Sequence, residues 1–191
     1  MKPGDHPDFY RLAPPPGASR ESTIRLDQEG RFWHDGQRVE HDALERAMRT
    51  WITAHPDDGR PILSNGYDWC YFHVDDAPLV VSALRVEGEG EGTRATLLLF
   101  DESEEPLDPE ALSIGDDGVV YARARGGKLW ARFSRHAQTQ LAPLLVGEGE
   151  GEGGEEAGEL PRVRVGGREV TLPRRPTTRL DITRLSERPD P

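Results

Sequence analysis

The chain has 191 residues, 31% of them charged, and a formal net charge of −11, which disfavours nucleic acid and anionic membranes as partners. Its length suits one hydrophobic core, no apolar run reaches the roughly 18 residues of a membrane span, and the polar N-terminus lacks the apolar segment of a secretory signal. With Cys70 as the single cysteine and no intrachain disulfide, we expect a cytoplasmic protein without membrane association.

The N-terminal part of the chain predicts an irregular lead-in followed by a β-meander. Residues 1–21 are proline-rich and typical of a polyproline-like segment, with Phe9 and Tyr10 as anchoring side chains. Three short strands are predicted at residues 23–26, 31–34 and 37–39. Asp35-Gly36 separates the last two, and it is a hairpin signal because a tight primed turn needs positive φ.

An amphipathic helix is predicted over residues 42–55, and Pro56 ends it. Asp42 and Glu45 form a capping-box-like pair at its start. Its apolar residues share one face at positions i, i+4, i+7 and i+8, namely Leu44, Met48, Trp51 and Ile52.

The densest hydrophobic stretch, residues 67–84, predicts two strands. Its first half alternates with period two and carries aromatic side chains on both faces, so neither face is identified as the wet one. The segment Asp75-Asp76-Ala77-Pro78 interrupts the stretch, since proline lacks the amide that a central strand needs. A short strand is predicted before it at residues 61–63, with Asn65-Gly66 as the hairpin turn.

The second half of the chain continues the β pattern and then changes to a helix. Residues 79–87 and 93–100 predict a hairpin, residues 101–109 a polar loop, and residues 112–114 a short extended piece. Two further strands are predicted at residues 119–125 and 128–133. A helix capped by Ser134 is predicted from residue 135 to about residue 145, with Pro143 kinking or shortening its last turn.

Two segments near the C-terminus have compositions that oppose folding. Residues 147–159 combine glycine with six glutamates, so we predict a disordered insertion. Residues 162–165 and 169–172 predict a last hairpin, and the Arg- and Pro-rich tail, residues 173–191, is expected to be poorly ordered. The arginines of the tail could bind nucleic acid, an acidic partner or the glutamate-rich segment. Nucleic acid is the weakest of these, because the body is acidic and aromatics are few.

Two similar stretches predict an internal repeat. Residues 30–48 and 118–141 each read as a turn, an aromatic-bearing strand, a glycine turn, a strand and a capped helix. We therefore predict one α+β domain, residues 22–172, of mostly antiparallel strands with two ββα-like repeated units and two short helices. Its two similar halves span about residues 22–75 and 76–172. The alternative is chance similarity between common elements.

One group of side chains offers ligands for a metal ion. His73, Asp75 and Asp76 lie close together in sequence, but the spacing is not diagnostic, because the chain has no paired cysteines and no His-x-x-x-His motif. Carboxylates before Ala77-Pro78 also cap backbone amides in turns. A dinucleotide-like Gly-x-Gly-x-x-Gly motif at residues 149–154 lies among glutamates, which repel phosphate. We assign no cofactor and no metal.

Four segments carry a family resemblance. They are I-x-L-x-x-E-G-R-F-W-H-D-G at residues 24–36, V-D-D-A-P-L-V-V at 74–81, V-V-Y-A-R-A-R-G-G-K-L-W-A-R-F-S-R at 119–135, and V-G-G at 165–167. Together they resemble the bacterial family called domain of unknown function 1285, over about residues 22–172. The resemblance implies a small α+β fold with repeated structural motifs and a suggested role in signal transduction. It implies no catalytic residues.

The sequence favours a non-catalytic binding or signalling module, because no catalytic constellation accompanies its aromatic side chains. The predicted binding surface is concave, lies between the ββα units and is lined by Trp33, Trp69, Tyr71, Tyr121 and Trp130. His73, Asp75 and Asp76 complete the set of candidate binding residues. The partner is an unidentified small molecule or protein, and the oligomeric state is open. One alternative is that the aromatics only build the core, and another is a small metal-dependent enzyme using the three polar residues.

Overall fold

The computed structural model describes residues 2–146 and 160–175, and most of its strands belong to two six-stranded β-sheets. The first sheet contains β1 (Glu21–Leu26), β2 (Phe32–His34), β3 (Gln37–Arg38), β4 (Ile52–Ala54), β5 (Pro61–Ser64) and β6 (Trp69–Val74). Its strand order is β3-β2-β1-β6-β5-β4. Two antiparallel meanders therefore meet along β1 and β6, which are parallel.

The second sheet repeats this plan. It contains β7 (Leu79–Glu87), β8 (Arg94–Leu99), β9 (Glu104–Pro106), β10 (Leu112–Ile114), β11 (Val120–Ala124) and β12 (Leu129–Phe133). Its order is β10-β11-β12-β7-β8-β9, again with the first strand parallel to the last at the centre. Read in the reverse direction, this is the order of the first sheet. The α+β class with repeated units is confirmed, and most neighbouring strands are antiparallel, as predicted.

The predicted hairpin turns are formed by the residues that the sequence indicated. Asp35 and Gly36, between β2 and β3, have φ values of 49° and 75°, as a primed two-residue turn requires. Between β5 and β6 the Asn65 side-chain oxygen accepts hydrogen bonds from the backbone N–H groups of Tyr67 and Asp68, both at 2.8 Å. These local bonds fix the register of the strands that follow.

A four-residue joint, residues 75–78, connects the two sheets. It follows β6, the last strand of the first sheet, and precedes β7, the first strand of the second. The backbone N–H of Asp75 donates to the carbonyl of Leu26 at 3.0 Å, and Ala77 is buried. The division of the hydrophobic stretch into two strands at this point is confirmed. Because both strands are central, the joint lies where the repeated units meet.

The first helix is shorter than predicted. Helix α1 spans Asp42–Thr50, and residues 52–54 form β4 instead of a last helical turn. Ile52 and Thr53 are β-branched and pair with Leu63 and Ile62 of β5, so tertiary pairing outweighs helical periodicity here.

The predicted cap of this helix was also wrong. His41 is the N-cap residue, and its Nδ1 accepts a hydrogen bond from the backbone N–H of Leu44 at 3.2 Å. Glu45 pairs instead with Arg49, one turn along the helix. The predicted apolar face is only partly buried, because Met48 is buried but Leu44 is 43% exposed.

The second helix, α2 (Arg135–Leu141), packs against β7 of the second sheet. The predicted cap is confirmed, since Ser134 Oγ accepts a hydrogen bond from the backbone N–H of Ala137 at 3.1 Å. Pro143 lies in a short 3-10 turn, so the α-helix ends at Leu141 rather than near residue 145. The chain continues into a third sheet of β13 (Leu145–Val146), β14 (Arg162–Val165) and β15 (Arg168–Thr171).

Two loop predictions had different outcomes. Residues 101–109 were predicted as a polar loop, but they contain β9, an edge strand that pairs with β8 through Thr96, Leu97 and Leu98. Its sequence, Glu-Glu-Pro, has no apolar alternation that would identify a strand. The predicted disordered insertion, residues 147–159, lies outside the described residues.

One hydrophobic core is shared by all three sheets and both helices. Its largest fully buried members include Phe32 from the first sheet, Phe133 from the second, Leu141 from α2 and Leu172 after β15. A continuous core means that the two repeated units support each other. In the part of the chain that the structure describes, no helix is long and apolar enough to cross a membrane.

The N-terminal segment covers the outer face of the first sheet. Phe9 is buried against Ile62 and Trp69, with Tyr10 beside them, so both predicted anchors make contacts. Arg11 donates two hydrogen bonds to the Asp57 carboxylate, at 2.9 and 2.7 Å. The segment contains two short 3-10 turns, Pro3–Asp5 and Phe9–Arg11.

The first residues of the C-terminal tail are docked on the second sheet. Residues 173–175, here named the strap, run parallel to β10 at its edge. The carbonyl of Pro173 accepts from the N–H of Ile114 at 2.9 Å, and the N–H of Arg175 donates to the carbonyl of Ile114 at 2.8 Å. The prediction of poor order was therefore wrong for these three residues. Residues 176–191 lie outside the described part.

Candidate ligand-binding cleft

A cleft of about 480 Å³ opens at the joint between the two sheets. Its lining comes from both repeated units and from the strap: Gly59, Pro61, Val74, Asp75, Asp76, Pro78, Gly115, Asp116, Asp117, Tyr121, Arg123, Lys128, Leu129, Trp130 and Arg175. The joint thus contributes its two aspartates and its proline to the cleft wall. A volume of this size is typical of small-molecule sites.

Asp76 is the centre of a hydrogen-bond network in the cleft. Its Oδ2 accepts from the hydroxyl of Tyr121 at 2.9 Å and from Arg132 at 3.0 Å. Its Oδ1 accepts from Arg175 at 2.6 Å, and its backbone oxygen accepts from the same guanidinium at 3.0 Å. The side chains of Asp76 and Arg175 are only 17% and 13% exposed. Asp76 therefore ties the joint, the second sheet and the strap together.

Aromatic rings and guanidinium groups form a stack along the cleft. The Arg175 guanidinium lies 4.1 Å from the ring centre of Tyr121 and 5.3 Å from that of Trp130. Arg123 lies 3.8 Å from the ring centre of Trp130. Such contacts attract a cation to the negative face of the ring. This wall of the cleft therefore combines aromatic rings with cationic groups.

Tyr121 stays protonated over the physiological pH range. Burial raises the pKa of its hydroxyl to about 12, and the hydrogen bond to the Asp76 carboxylate acts in the same direction. The hydroxyl is therefore a hydrogen-bond donor to Asp76 and not a base at neutral pH.

The aspartates of the cleft are compensated by arginines. The two carboxylate oxygens of Asp75 accept hydrogen bonds from the Arg25 guanidinium. Asp75 Oδ1 also lies 3.3 Å from His73 Nε2. Arg132 forms an ion pair with Asp76, and its guanidinium also lies 3.9 Å from the Asp117 carboxylate. Asp116 accepts a hydrogen bond from Arg174 of the strap at 3.1 Å.

The structure brings together four of the eight residues that the sequence put forward for binding. Asp75, Asp76, Tyr121 and Trp130 line the cleft. His73 touches Asp75, but its exposed ring lies outside the lining.

Trp33 lies outside the cleft and supports a turn. Its indole N–H donates to Asp27 Oδ2 at 2.9 Å, and the other carboxylate oxygen of Asp27 accepts from the backbone N–H groups of Glu29 and Arg31. The Arg31 guanidinium donates to Asp27 as well, at 2.9 Å. Asp27 is therefore a buried carboxylate with a full set of donors.

Trp69 and Tyr71 lie on the outer face of the first sheet, under the N-terminal segment. Their rings pack against His55 at centroid distances of 5.1 and 5.5 Å, and Trp69 donates its indole N–H to the carbonyl of Phe9 at 3.3 Å. Burial and the hydrogen bond to Asp58 raise the pKa of Tyr71. These two aromatics form a satellite core rather than a wall of the cleft.

The Asp27 turn gives a pH-dependent prediction. Burial pushes the Asp27 pKa up, but the bonds from the Arg31 backbone, the Trp33 indole and the Arg31 guanidinium hold that pKa below its ordinary value. The ionised Asp27 carboxylate therefore contributes fully to the stability of the fold above about pH 4, the usual pKa of Asp. This contribution is lost as the pH falls through the lower pKa that Asp27 has in the folded protein. We expect the urea midpoint of the wild type to fall on acidification below about pH 4, and that of Asp27→Asn to fall less.

The Asp27→Asn substitution isolates the charge, because asparagine keeps the side-chain shape without the ionisable group. At neutral pH the variant should be less stable than the wild type by about 1–3 kcal/mol, since it leaves charged and neutral donors poorly satisfied. Parallel pH dependences of the two urea midpoints would contradict this role for Asp27.

The arrangement of the acids does not favour a metal centre. Among residues 2–146 and 160–175, no group of three His, Cys, Asp or Glu side chains is placed to hold a metal ion. Asp75 and Asp76 direct their oxygens to different arginines, Arg25 on one side and Arg132 with Arg175 on the other. Guanidinium groups already occupy the positions that a cation would take.

Sequence reasoning missed the basic residues of the cleft. Arg123, Lys128 and Arg175 line it, although none of them was a candidate. A local signal existed for the first two, because R-A-R-G-G-K places an arginine and a lysine on either side of a tight turn between β11 and β12. Arg175 had no such signal, since its contact with Asp76 spans 99 positions.

The chain is thus an α+β protein of two six-stranded sheets with the same strand order, and its cleft lies at their joint. No protein-family model and no curated protein matches the chain.

Two crystal structures share the fold. A DUF1285 family protein from Silicibacter pomeroyi DSS-3 is 17% identical, with a TM-score of 0.62 over 85% of this chain and 91% of its own. A DUF1285 family protein from Shewanella baltica OS155 is 16% identical, with a TM-score of 0.51 over 65% of this chain and 94% of its own. The resemblance to DUF1285 is thus confirmed in the fold. The name of the family assigns no activity.

Proposed function

We propose that this chain is a non-catalytic binding module of the bacterial cytoplasm that takes a small molecule into the cleft between its two sheets. The observation that carries the proposal is the cleft of about 480 Å³ lined by Tyr121, Trp130 and charged groups of the joint, the second repeated unit and the strap. Aromatic faces with a few fixed polar groups are the usual lining of small-molecule sites.

The chemistry of the cleft supports binding rather than turnover. The Asp76 carboxylate is held by three side chains, and the Tyr121 hydroxyl has a pKa of about 12, so both are poor general bases at neutral pH. The alternative, a metal-dependent enzyme using His73, Asp75 and Asp76, has no observation in its favour, because Asp75 and Asp76 are engaged by arginines.

The position of the cleft also supports a signalling role. Its wall includes both sheets and the strap, so a ligand in the cleft would lie beside both the joint and Arg175. A ligand that binds one arrangement of these parts better than another shifts their populations. The strap is held to Asp76 by Arg175, and a change in this contact is the output that we propose for ligand binding.

A thermal-shift screen of a mixed small-molecule library tests the function. Compounds that occupy the cleft should raise the melting temperature of the wild type and of Trp51→Ala, but not that of Trp130→Ala. Trp51 is a matched control because it is a half-buried tryptophan outside the cleft. Mass spectrometry should recover each bound compound unchanged. A screen in which no compound distinguishes Trp130→Ala from Trp51→Ala would count against the cleft, and a chemically altered compound would count against a non-catalytic role.

A further inference from the structure

The cationic side chains of the cleft differ in how they are paired. Arg175 is paired with Asp76, and the aspartates Asp75, Asp116 and Asp117 are each within reach of an arginine. Arg123 and Lys128 line the same cleft, and within residues 2–146 and 160–175 neither has a carboxylate partner or a side-chain hydrogen bond. The charges of the cleft that remain uncompensated in the described structure are therefore positive.

The geometry of Arg123 leaves its hydrogen-bonding edge available. Its guanidinium carbon lies 3.8 Å from the centre of the Trp130 ring, and its N–H groups have no hydrogen-bond partner among the described residues. A guanidinium with free N–H groups presents paired donors that match the two oxygens of a carboxylate or phosphate. The contact with Trp130 places these donors at the cleft wall.

The surroundings of Arg123 make an anion favourable there. Arg123 is an exposed residue, but partial desolvation of its guanidinium lowers its pKa, and the nearby positive charge of Arg175 lowers it further. Both effects disfavour the charged form of a group that stays protonated, and an anion beside it would relieve them. Lys128 follows the Gly126-Gly127 turn on the same wall and adds a second cation.

We propose that the ligand of the cleft carries an oxyanion, a carboxylate or a phosphate, bound by the rim of Arg123 with Lys128 beside it, and that its remaining part packs against Trp130 and Leu129. This inference rests on the proposed function, because it names the chemistry of the ligand for the same cleft. The aspartates of the cleft do not oppose an anion, because Arg25, Arg132, Arg174 and Arg175 compensate them.

Four small aromatic probes of different charge test the charge of the ligand. Benzoate and phenyl phosphate are anions, benzamide is the neutral counterpart of benzoate, and benzamidine is the cationic one. Binding to the full chain is followed by the indole N–H signals of the four tryptophans in nitrogen-15 correlation spectra, with Trp130 assigned by its alanine variant. We expect both anions to shift the Trp130 signal, with an affinity that falls as salt is added, and the other two probes to leave it unchanged.

Variants of the basic residues test the contact itself. Arg123→Gln should weaken benzoate and phenyl phosphate binding about tenfold or more, as expected for loss of a charge-assisted hydrogen-bonded pair. Lys128→Gln should weaken phenyl phosphate more than benzoate, because a point charge favours the higher charge. Arg38→Gln is the matched control, since Arg38 lies on edge strand β3 outside the cleft and should leave affinity unchanged. Melting temperatures of all three variants should stay close to that of the wild type.

The outcomes separate this inference from the proposed function. If benzamide or benzamidine shifts the Trp130 signal as strongly as benzoate, the cleft binds ligands but the anion preference is wrong. If Arg123→Gln binds both anions as tightly as the wild type, the assigned contact is wrong. If none of the four probes shifts the Trp130 signal, the oxyanion inference fails, and the library screen alone then decides the function.

Discussion

Asp76→Asn is expected to lower the free energy of unfolding by about 3 kcal/mol, the lower end of the range for breaking a buried ion pair. The substitution removes the negative charge that Arg132 and Arg175 share, while both guanidinium groups remain in a partly buried site. The asparagine amide also replaces one acceptor oxygen with a donor. Urea unfolding at neutral pH, followed by far-ultraviolet circular dichroism, measures the change.

Asp75→Asn is the matched control for this experiment. The neighbouring carboxylate pairs with Arg25, whose side chain is 51% exposed, so this half-exposed pair should contribute less than about 1 kcal/mol. A double-mutant cycle of Asp76→Asn with Arg175→Gln isolates the coupling between the joint and the strap. Equal urea midpoints for the Asp75 and Asp76 variants would show that Asp76 does not hold the three parts together.

Much of the β-structure could be predicted because its signals are local. Period-two alternation and turn residues such as Asp35-Gly36 and Asn65-Gly66 place nearly every strand of the two large sheets. The parallel pairing of β1 with β6 and of β7 with β12 could not be read in the same way, because it joins strands that are distant in sequence. The resemblance between segments indicated a repeat of ββα-like units, and the topology shows two six-stranded sheets with the same strand order.

The errors in element bounds have a common physical cause. The helical spacing of Met48, Trp51 and Ile52 is real, yet β4 forms because Ile52 and Thr53 can pair with β5. Likewise β9 has no strand-like sequence and exists because the edge of β8 offers unpaired backbone groups. In both cases the secondary structure is set by hydrogen bonds to a neighbouring strand and not by the local sequence pattern.

The candidate site could be predicted only in part. The joint at Asp75-Asp76 was found because a proline and two acids interrupt a hydrophobic stretch, and the joint lies in the cleft. Trp69 and Tyr71 were grouped with Tyr121 and Trp130 because all four are strand aromatics. Sequence alternation does not tell which sheet face is covered by a distant segment, here the N-terminal one around Phe9.

Trp69→Ala is expected to be the most destabilising single change on the outer face of the first sheet. Trp69 is 6% exposed, packs against Phe9 and Ile62, and lies under the guanidinium of Arg20, 4.5 Å from its ring centre. Truncating a buried tryptophan costs about 3–5 kcal/mol, because the lost contacts leave a cavity. The Phe9 carbonyl also loses the indole N–H that donates to it, so the N-terminal segment should detach before the sheets unfold.

Trp51→Ala is the control for Trp69→Ala, because it also removes a tryptophan side chain but not one that packs against the N-terminal segment. The helical periodicity predicted Trp51 as a core residue, but it caps the end of α1 and is half-buried, so its removal should cost about 1–2 kcal/mol. Urea midpoints rank the two variants, and limited trypsin cleavage after Arg11 and Arg20 reports the release of the N-terminal segment. Faster cleavage is expected for Trp69→Ala alone. Similar midpoints for the two variants, or unchanged cleavage in Trp69→Ala, would show that the segment is held by Arg11 and Asp57 instead of by the aromatic cluster.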